Sequence, residues 1–254
     1  EVGVLTMTQI KKKTTNRKPV RSNDPRPGSI VVCWCDGGTT DGKFTEGLVY
    51  SIFSTAGKIP LASAMRVQGN QIGRQRQDGF DYWLDKTDYE WILWVDSDIV
   101  INADVLQTLW ASVDAKDRPV VSGTYFISKE NERSLMTPFP ALFNFVDDKP
   151  NLLAYLHPLP ANALVKVDCA GFGFLLMHRS VGERMRVKHG KIPFFNETGV
   201  GDSFASEDIN FFRLMHSAGV PLYAHTGAVV QHMKRFSFDL DFYKLFWNNN
   251  GKES

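Results

Sequence analysis

Asp96 and Asp98 stand two residues apart where the apolar run WILWV (91–95) ends. Taking an ionised carboxylate out of water is costly unless a cation meets it. Two hard oxygen ligands at one strand end suit Mg²⁺ or Mn²⁺, which complete an octahedron with water and phosphate. In an open α/β sheet, ligands bind outside the carboxyl ends of the parallel strands. An extended chain with alternating side chains is expected to point both carboxylates to one side. A second D-x-D, Asp239-Leu240-Asp241 in FSFDLDFYKLFW, acts as a control. It precedes an amphipathic stretch, where acidic residues are ordinary at a helix start, and reads as structural.

Elements at regular spacing lead up to this pair. SIVVCWC (29–35) is β-rich and stops at the turn DGGTTDG. Residues 44–57 carry Phe44, Leu48, Ile52 and Phe53 at helical spacing and end at Gly57. A strand is expected at 61–67, and a helix at 71–86 with Ile72, Arg76, Phe80, Trp83 and Leu84 on its face. After WILWV, Asn102 is placed to cap a helix whose apolar face is Leu106, Leu109, Trp110 and Val113. RPVVSGTYFI (118–127) reads as the next strand. The alternation predicts an α/β sheet of parallel strands flanked by helices. Beyond residue 128 the rhythm breaks into a Pro-rich region. Then come strand, bend and strand in ALVKVDCAGFGFLLMH and a helix at 206–219 closed by Gly219 and Pro221.

Composition narrows the class. At 254 residues, 43% hydrophobic, 22% charged and net charge +1, the chain reads as an ordinary globular protein. No stretch has the length of a membrane span, and no signal peptide is evident. Cys33, Cys35 and Cys169 make neither a disulfide framework nor a zinc site, so a reducing, cytoplasmic setting is expected. Lys11, Lys12, Lys13, Arg17, Lys18, Arg21 and Arg26 make residues 1–28 a basic arm. Such an arm is most often solvated and sometimes meets an anionic partner, DNA among them.

In this order, the motifs resemble metal-dependent glycosyltransferases of the GT-A fold, of the GT2-like bacterial or viral type. SIVVCWCDGG resembles the first strand and base-cupping loop of that family. GNQIGRQRQDGFDYWL resembles its helix with an Arg-(Asn or Gln) pair, here Arg76-Gln77, and VDSD resembles its metal motif. VDCAGFGFLLMHRSV resembles the acceptor-side D-x-x-G-x-G stretch, and FASEDINFFRLMHSAGVPLYAHTGAVVQHMK the late Glu-Asp helix followed by a strand ending in His.

The resemblance implies a Rossmann-like, mostly parallel central sheet flanked by helices, with a mixed acceptor-side half. It implies one domain over 29–254, with nucleotide binding in 29–127 and the acceptor side in 128–254. The activity implied is transfer of a sugar from a nucleotide diphosphate sugar, a UDP-sugar first, to an acceptor hydroxyl. Asp96, Asp98 and His232 would hold Mn²⁺, or Mg²⁺, an imidazole among oxygens favouring Mn²⁺. Asp36, Arg76, Asp96 and Ser97 would meet the nucleotide sugar, and Asp168 and Gly171 the acceptor. Asp208, with Glu207 beside it, would be the general base of an inverting reaction, a retaining one being the alternative that some families with a similar D-x-D and acidic helix leave open.

For Asp36, turn formation explains the residue equally well, and Ser206 as N-cap with two acidic first-turn residues explains Glu207-Asp208. GFG (171–173) lacks the lysine of a phosphate loop, so its glycines are expected to admit a substrate or another backbone. His216 and His225 read as structural, and Arg74, two residues from Arg76, would face elsewhere on the helix and ranks below it. Gln77 in place of Asn, and Phe204-Ala205 where related families carry Trp-Gly, leave the acceptor open: a glycan, a lipid-linked sugar, a protein side chain or a modified DNA base. A sugar nucleotidyltransferase would carry a Gly-rich loop ending in Arg or Lys after the first strand, where DGGTTDGKF offers only Lys43. A non-catalytic carbohydrate-binding protein is the other alternative.

Overall fold

Residues 28–128, 138–146, 149–200 and 203–234 are described in a computed structural model of the chain. The basic arm and the second D-x-D lie outside them. The apolar runs form strands β1 (Ile30–Asp36), β2 (Leu61–Gln68) and β3 (Trp91–Val95), with helices α1 (Gly42–Ser54) and α2 (Ile72–Lys86) between them. The turn DGGTTDG supplies the start of α1, since Asp41 accepts a hydrogen bond from the Lys43 N–H at 2.8 Å. After β3 come a two-residue strand β4 (Ile99–Val100), helix α3 (Ala103–Ser112) and strand β5 (Val120–Thr124). Asn102 caps α3 by accepting from the Val105 N–H at 2.9 Å. The strand expected at 118–127 breaks at Tyr125, and Phe126–Ile127 forms a separate strand, β6.

The later half adds β7 (Phe139–Pro140), β8 (Leu142–Val146), β9 (Lys149–Tyr155), β10 (Leu164–Val167) and β11 (Cys169–Ala170). It continues with β12 (Phe174–His178), α4 (Arg179–His189), the hairpin β13 (Thr198–Val200) and β14 (Ser203–Ala205), α5 (Glu207–Ser217), β15 (Leu222–Val229) and β16 (Gln231–His232). The main sheet has seven strands in the order β10-β15-β5-β12-β3-β1-β2. β2, β1, β3, β5 and β15 run one way, while β12 and β10 run against them. The sheet is thus mostly parallel, as expected, and β12 from the later half inserts between β3 and β5. The two halves share one sheet.

WILWV is central and covered on both faces, each residue at most 2% exposed. Ile92 and Trp94 join the apolar cluster under α2, α4 and α5, while Trp91, Leu93 and Val95 join the one under α1 and α3. Each such side chain contributes roughly 1.5–3 kcal/mol by leaving water. That burial fixes the strand's register, and with it the point where Asp96 leaves the sheet. Among the described residues no helix is long and apolar enough to cross a membrane.

Candidate active site

Past Val95 the chain does not stay extended. The Ile99 N–H returns to the Asp96 carbonyl at 2.9 Å, closing a turn over residues 96–99. Ser97, half-buried in that turn, accepts from the Asp41 N–H at the start of α1 through its carbonyl, at 3.4 Å. The turn undoes the expected alternation, and Asp96 and Asp98 meet different partners.

Asp96 accepts from Nη2 of Arg76 at 3.1 and 3.2 Å. Arg76 Nη1 donates to Glu207 Oε1 at 2.7 Å, joining α2 to the first turn of α5. Burial alone would lower the Arg76 pKa, but Asp96, Asp208 and Glu207 outweigh it and keep the guanidinium charged. The Glu207 carboxyl is raised above its usual range, mainly by burial, with Arg76 opposing. Asp208, half-buried beside it, accepts from the Ser206 hydroxyl and, at 2.8 Å, from the Ile209 N–H through Oδ1. Ser206 holds the N-cap position, yet its hydroxyl serves Asp208 rather than a backbone N–H. Gln77 accepts the Phe194 and Phe195 N–H groups at 2.6 and 3.2 Å, a packing role.

Asp98 turns to the opposite wall. Its Oδ2 lies 3.2 Å from His232 Nε2 and 3.5 Å from Lys234 Nζ, and Met233 N–H bonds the Asp98 carbonyl at 2.8 Å. Strands β16 and β4 pair Ile99 with His232, which brings histidine and aspartate together across 134 residues. Burial pushes the Asp98 carboxyl up, but His232 and Lys234 outweigh it and hold it below the usual range.

His232 Nδ1 lies 3.0 Å from the Phe126 carbonyl, which can only accept, so Nδ1 carries the proton. A protonated ring donates from Nε2 to Asp98 Oδ2, 3.2 Å away, whereas a neutral ring turns its Nε2 lone pair toward that oxygen, and the two would then share a cation. Metal-bound histidines are oriented this way, with the remote N–H on a carbonyl. Among the described residues no group of three His, Cys, Asp or Glu side chains is gathered for a metal. Asp98 and His232 form a pair, and Asp96 is held by Arg76. Two protein ligands with phosphates and water suit Mg²⁺ or Mn²⁺, so the donor set fits such an ion.

Asp36 lies at the end of β1 with its carboxylate filled. It receives Arg66 Nε and Nη2 at 2.6 Å each, the Gly38 N–H at 2.7 Å and Trp34 Nε1 at 3.1 Å. Bonding to Arg66 lowers its pKa against the opposing effect of burial. Because the folded pKa lies below the unfolded one, the pair stabilises the fold above the unfolded value of about 3.9 and stops doing so as pH falls through the folded value. Arg66→Met is expected to lose about 2 kcal/mol at pH 7. In urea unfolding that difference should begin to shrink below about pH 4, as Asp36 of the unfolded chain protonates, and vanish once the folded carboxyl protonates at lower pH.

Asp168, expected to meet the acceptor, accepts from the Phe145 N–H at 3.0 Å through Oδ2, anchoring β8. The glycines of GFG make room for a side chain, not for a second backbone: a Cβ on Gly171 would stand 1.8 Å from the Tyr125 hydroxyl. That hydroxyl accepts the Gly173 N–H at 3.3 Å, and the Tyr125 ring meets His232 edge-on at 5.2 Å. Gly171→Ala should cost about 1–3 kcal/mol by overpacking. Adding Tyr125→Phe should restore at least half of that loss in urea unfolding, because the colliding oxygen is gone.

Sequence reading missed Arg66, Tyr125 and Lys234. Arg66 stands on β2 beside the strand carrying Asp36, and parallel pairing of the two predicted strands would have found it. Tyr125 carries a signal in the strand break. Lys234, two residues past His232, had none.

No known sequence family and no curated protein matches the chain. Solved structures do match. The crystal structure of A197 from STIV superposes with a TM-score of 0.50 at 16% identity, covering 82% of this chain and 86% of that one. The structure of GalNAc-T7 with UDP, GalNAc and Mn²⁺ superposes with a TM-score of 0.53 at 10% identity over 83% of this chain. This chain spans 44% of that protein's length. At such identities the likeness speaks for the fold: a glycosyltransferase-like α/β fold of the GT-A type.

Proposed function

We propose that the chain is a glycosyltransferase that moves a sugar from a nucleotide diphosphate sugar to an acceptor hydroxyl, with Mn²⁺ or Mg²⁺ bound at Asp98 and His232. The observation that carries this reading is the Asp98–His232 pair, 3.2 Å apart at the ligand-binding edge of the sheet, with the imidazole oriented by the Phe126 carbonyl as a metal-bound histidine would be. The UDP and Mn²⁺ of the GalNAc-T7 structure support a UDP-sugar and Mn²⁺ as first choices.

A bound divalent ion supplies charge neutralisation for the departing diphosphate. The protein's own residues do the rest. Asp96 and Ser97 line the donor side, and Asp36 fixes the turn beside it through Arg66. Asp208 is the base. Ser206 and Ile209 hold its Oδ1, leaving Oδ2 to take the acceptor hydroxyl proton. The acceptor oxygen bonds the anomeric carbon as the carbon–oxygen bond to the diphosphate breaks, which inverts the centre. Glu207 stands behind Asp208, and Asp168 and Gly171 belong to the acceptor side. Residues 29–254 act as one domain, with 29–127 binding nucleotide and 128–254 the acceptor, whether glycan, lipid-linked sugar, protein side chain or modified DNA base.

The test is nucleotide release from UDP-, GDP- and dTDP-sugars, with Mn²⁺ or with chelator. Release from one donor class that chelator stops is expected. Release that ignores chelation would remove the metal from this reading.

A further inference from the structure

Arg76 resembles the family's helical arginine and was expected above to meet the nucleotide sugar, but its surroundings argue for another task. It is 5% exposed, its guanidinium lies 5.2 Å over the Phe172 ring, and its Nε is buried without a hydrogen-bond partner. Both terminal nitrogens are committed, one to Glu207 and the other to Asp96. No fork remains for a phosphate.

One turn earlier on α2, Gly73 lets the helix dock directly on α5. A Cβ there would come within 2.7 Å of the Phe195 carbonyl and 3.3 Å of Glu207 Cβ. The guanidinium therefore sits at a seam between the turn that carries the first carboxylate of D-x-D and the helix start that carries Asp208. A planar fork with several fixed donors can serve two carboxylates at once, which a lysine point charge cannot. Removing one partner of a buried pair leaves an uncompensated charge, so the helix start would shift.

We propose that Arg76 is a positioning residue that ties the donor-side carboxylate Asp96 to Glu207 and so holds Asp208 in register with the donor sugar. This rests on the glycosyltransferase reading above. The discriminating measurement splits binding from turnover: UDP titration in Mn²⁺ and kcat at saturating donor, for wild type, Arg76→Lys and Arg76→Met. A nucleotide Kd within threefold of wild type is expected, with kcat lowered at least tenfold by Lys and a hundredfold by Met. A tenfold or greater loss of nucleotide affinity in Arg76→Lys, or an unchanged kcat, would overturn the proposal. Should Arg76→Met fail to fold, the Lys variant carries the test.

If wild type binds no nucleotide, that failure belongs to the functional reading. The tie is then judged by urea unfolding of Arg76→Lys, Glu207→Gln and the double variant. Coupling of at least tenfold in the unfolding equilibrium supports it, and additive effects sink it.

Discussion

Asp98→Ala is expected to weaken Mn²⁺-supported nucleotide binding at least a hundredfold, about 2.7 kcal/mol, and to lower turnover by about three orders of magnitude. The argument is one of charge. Asp98 is the carboxylate that faces His232 Nε2, and it alone leaves Asp96 free to stay with Arg76. Without it the imidazole is a single ligand beside the Lys234 ammonium, a poor place for a cation. The side chain is 43% exposed, so its removal should move the melting temperature by only a few degrees. Titration of Mn²⁺ and nucleotide, with a melting curve, checks both parts. A variant that melts normally and binds nucleotide like wild type would show that Asp98 has no part in the site.

Asp208→Asn is expected to lower kcat by two to four orders of magnitude while leaving nucleotide affinity within threefold. The amide keeps the shape and the contact with the Ile209 N–H but cannot take a proton. Glu207→Gln should behave differently. It takes one of two carboxylates from the buried Arg76, which keeps Asp96, and loss of that charge-assisted bond is expected to cost about 1.5–3 kcal/mol of stability. A drop in melting temperature for Glu207→Gln, set against a drop in rate alone for Asp208→Asn, would separate the supporting acid from the base. If the two variants lost rate equally with no change in melting, the division of roles would be wrong.

What could be read from the sequence was whatever is local. An unbroken apolar run, buried on both faces, makes WILWV a central strand, Asn102 caps α3 as its spacing demands, and the Glu-Asp pair opens α5. Pairing between distant strands was not legible. Nothing near FLLMH announces that it will enter between β3 and β5, because strand order depends on contacts far apart in sequence.

Helix α4 was missed for a local reason. RSVGERMRVKHG has Gly182 in its interior, a residue that weakens helix propensity, although Val181 and Met185 one turn apart and Gly190 just past the end were the available signal. The glycine is there because a Cβ would press on Leu84 and Phe80.

In the site, residue types were easier to pick than partners. Asp96, Asp98, Glu207, Asp208 and His232 stand at the same sheet edge or the elements beside it. Yet the 96–99 turn sends the two aspartates to different cations, and only three-dimensional pairing assigns Arg76 to Asp96 and Glu207. A D-x-D followed by an apolar residue reads as extended until the Ile99 N–H folds back.

The most direct measurement is calorimetric titration of UDP into the wild-type protein with Mn²⁺, with Mg²⁺ and with chelator, repeated on Asp98→Ala and His232→Ala. The account predicts binding that needs the divalent ion and is lost in both variants. Equal UDP binding in Mn²⁺ and in chelator, unaffected by either substitution, would contradict it.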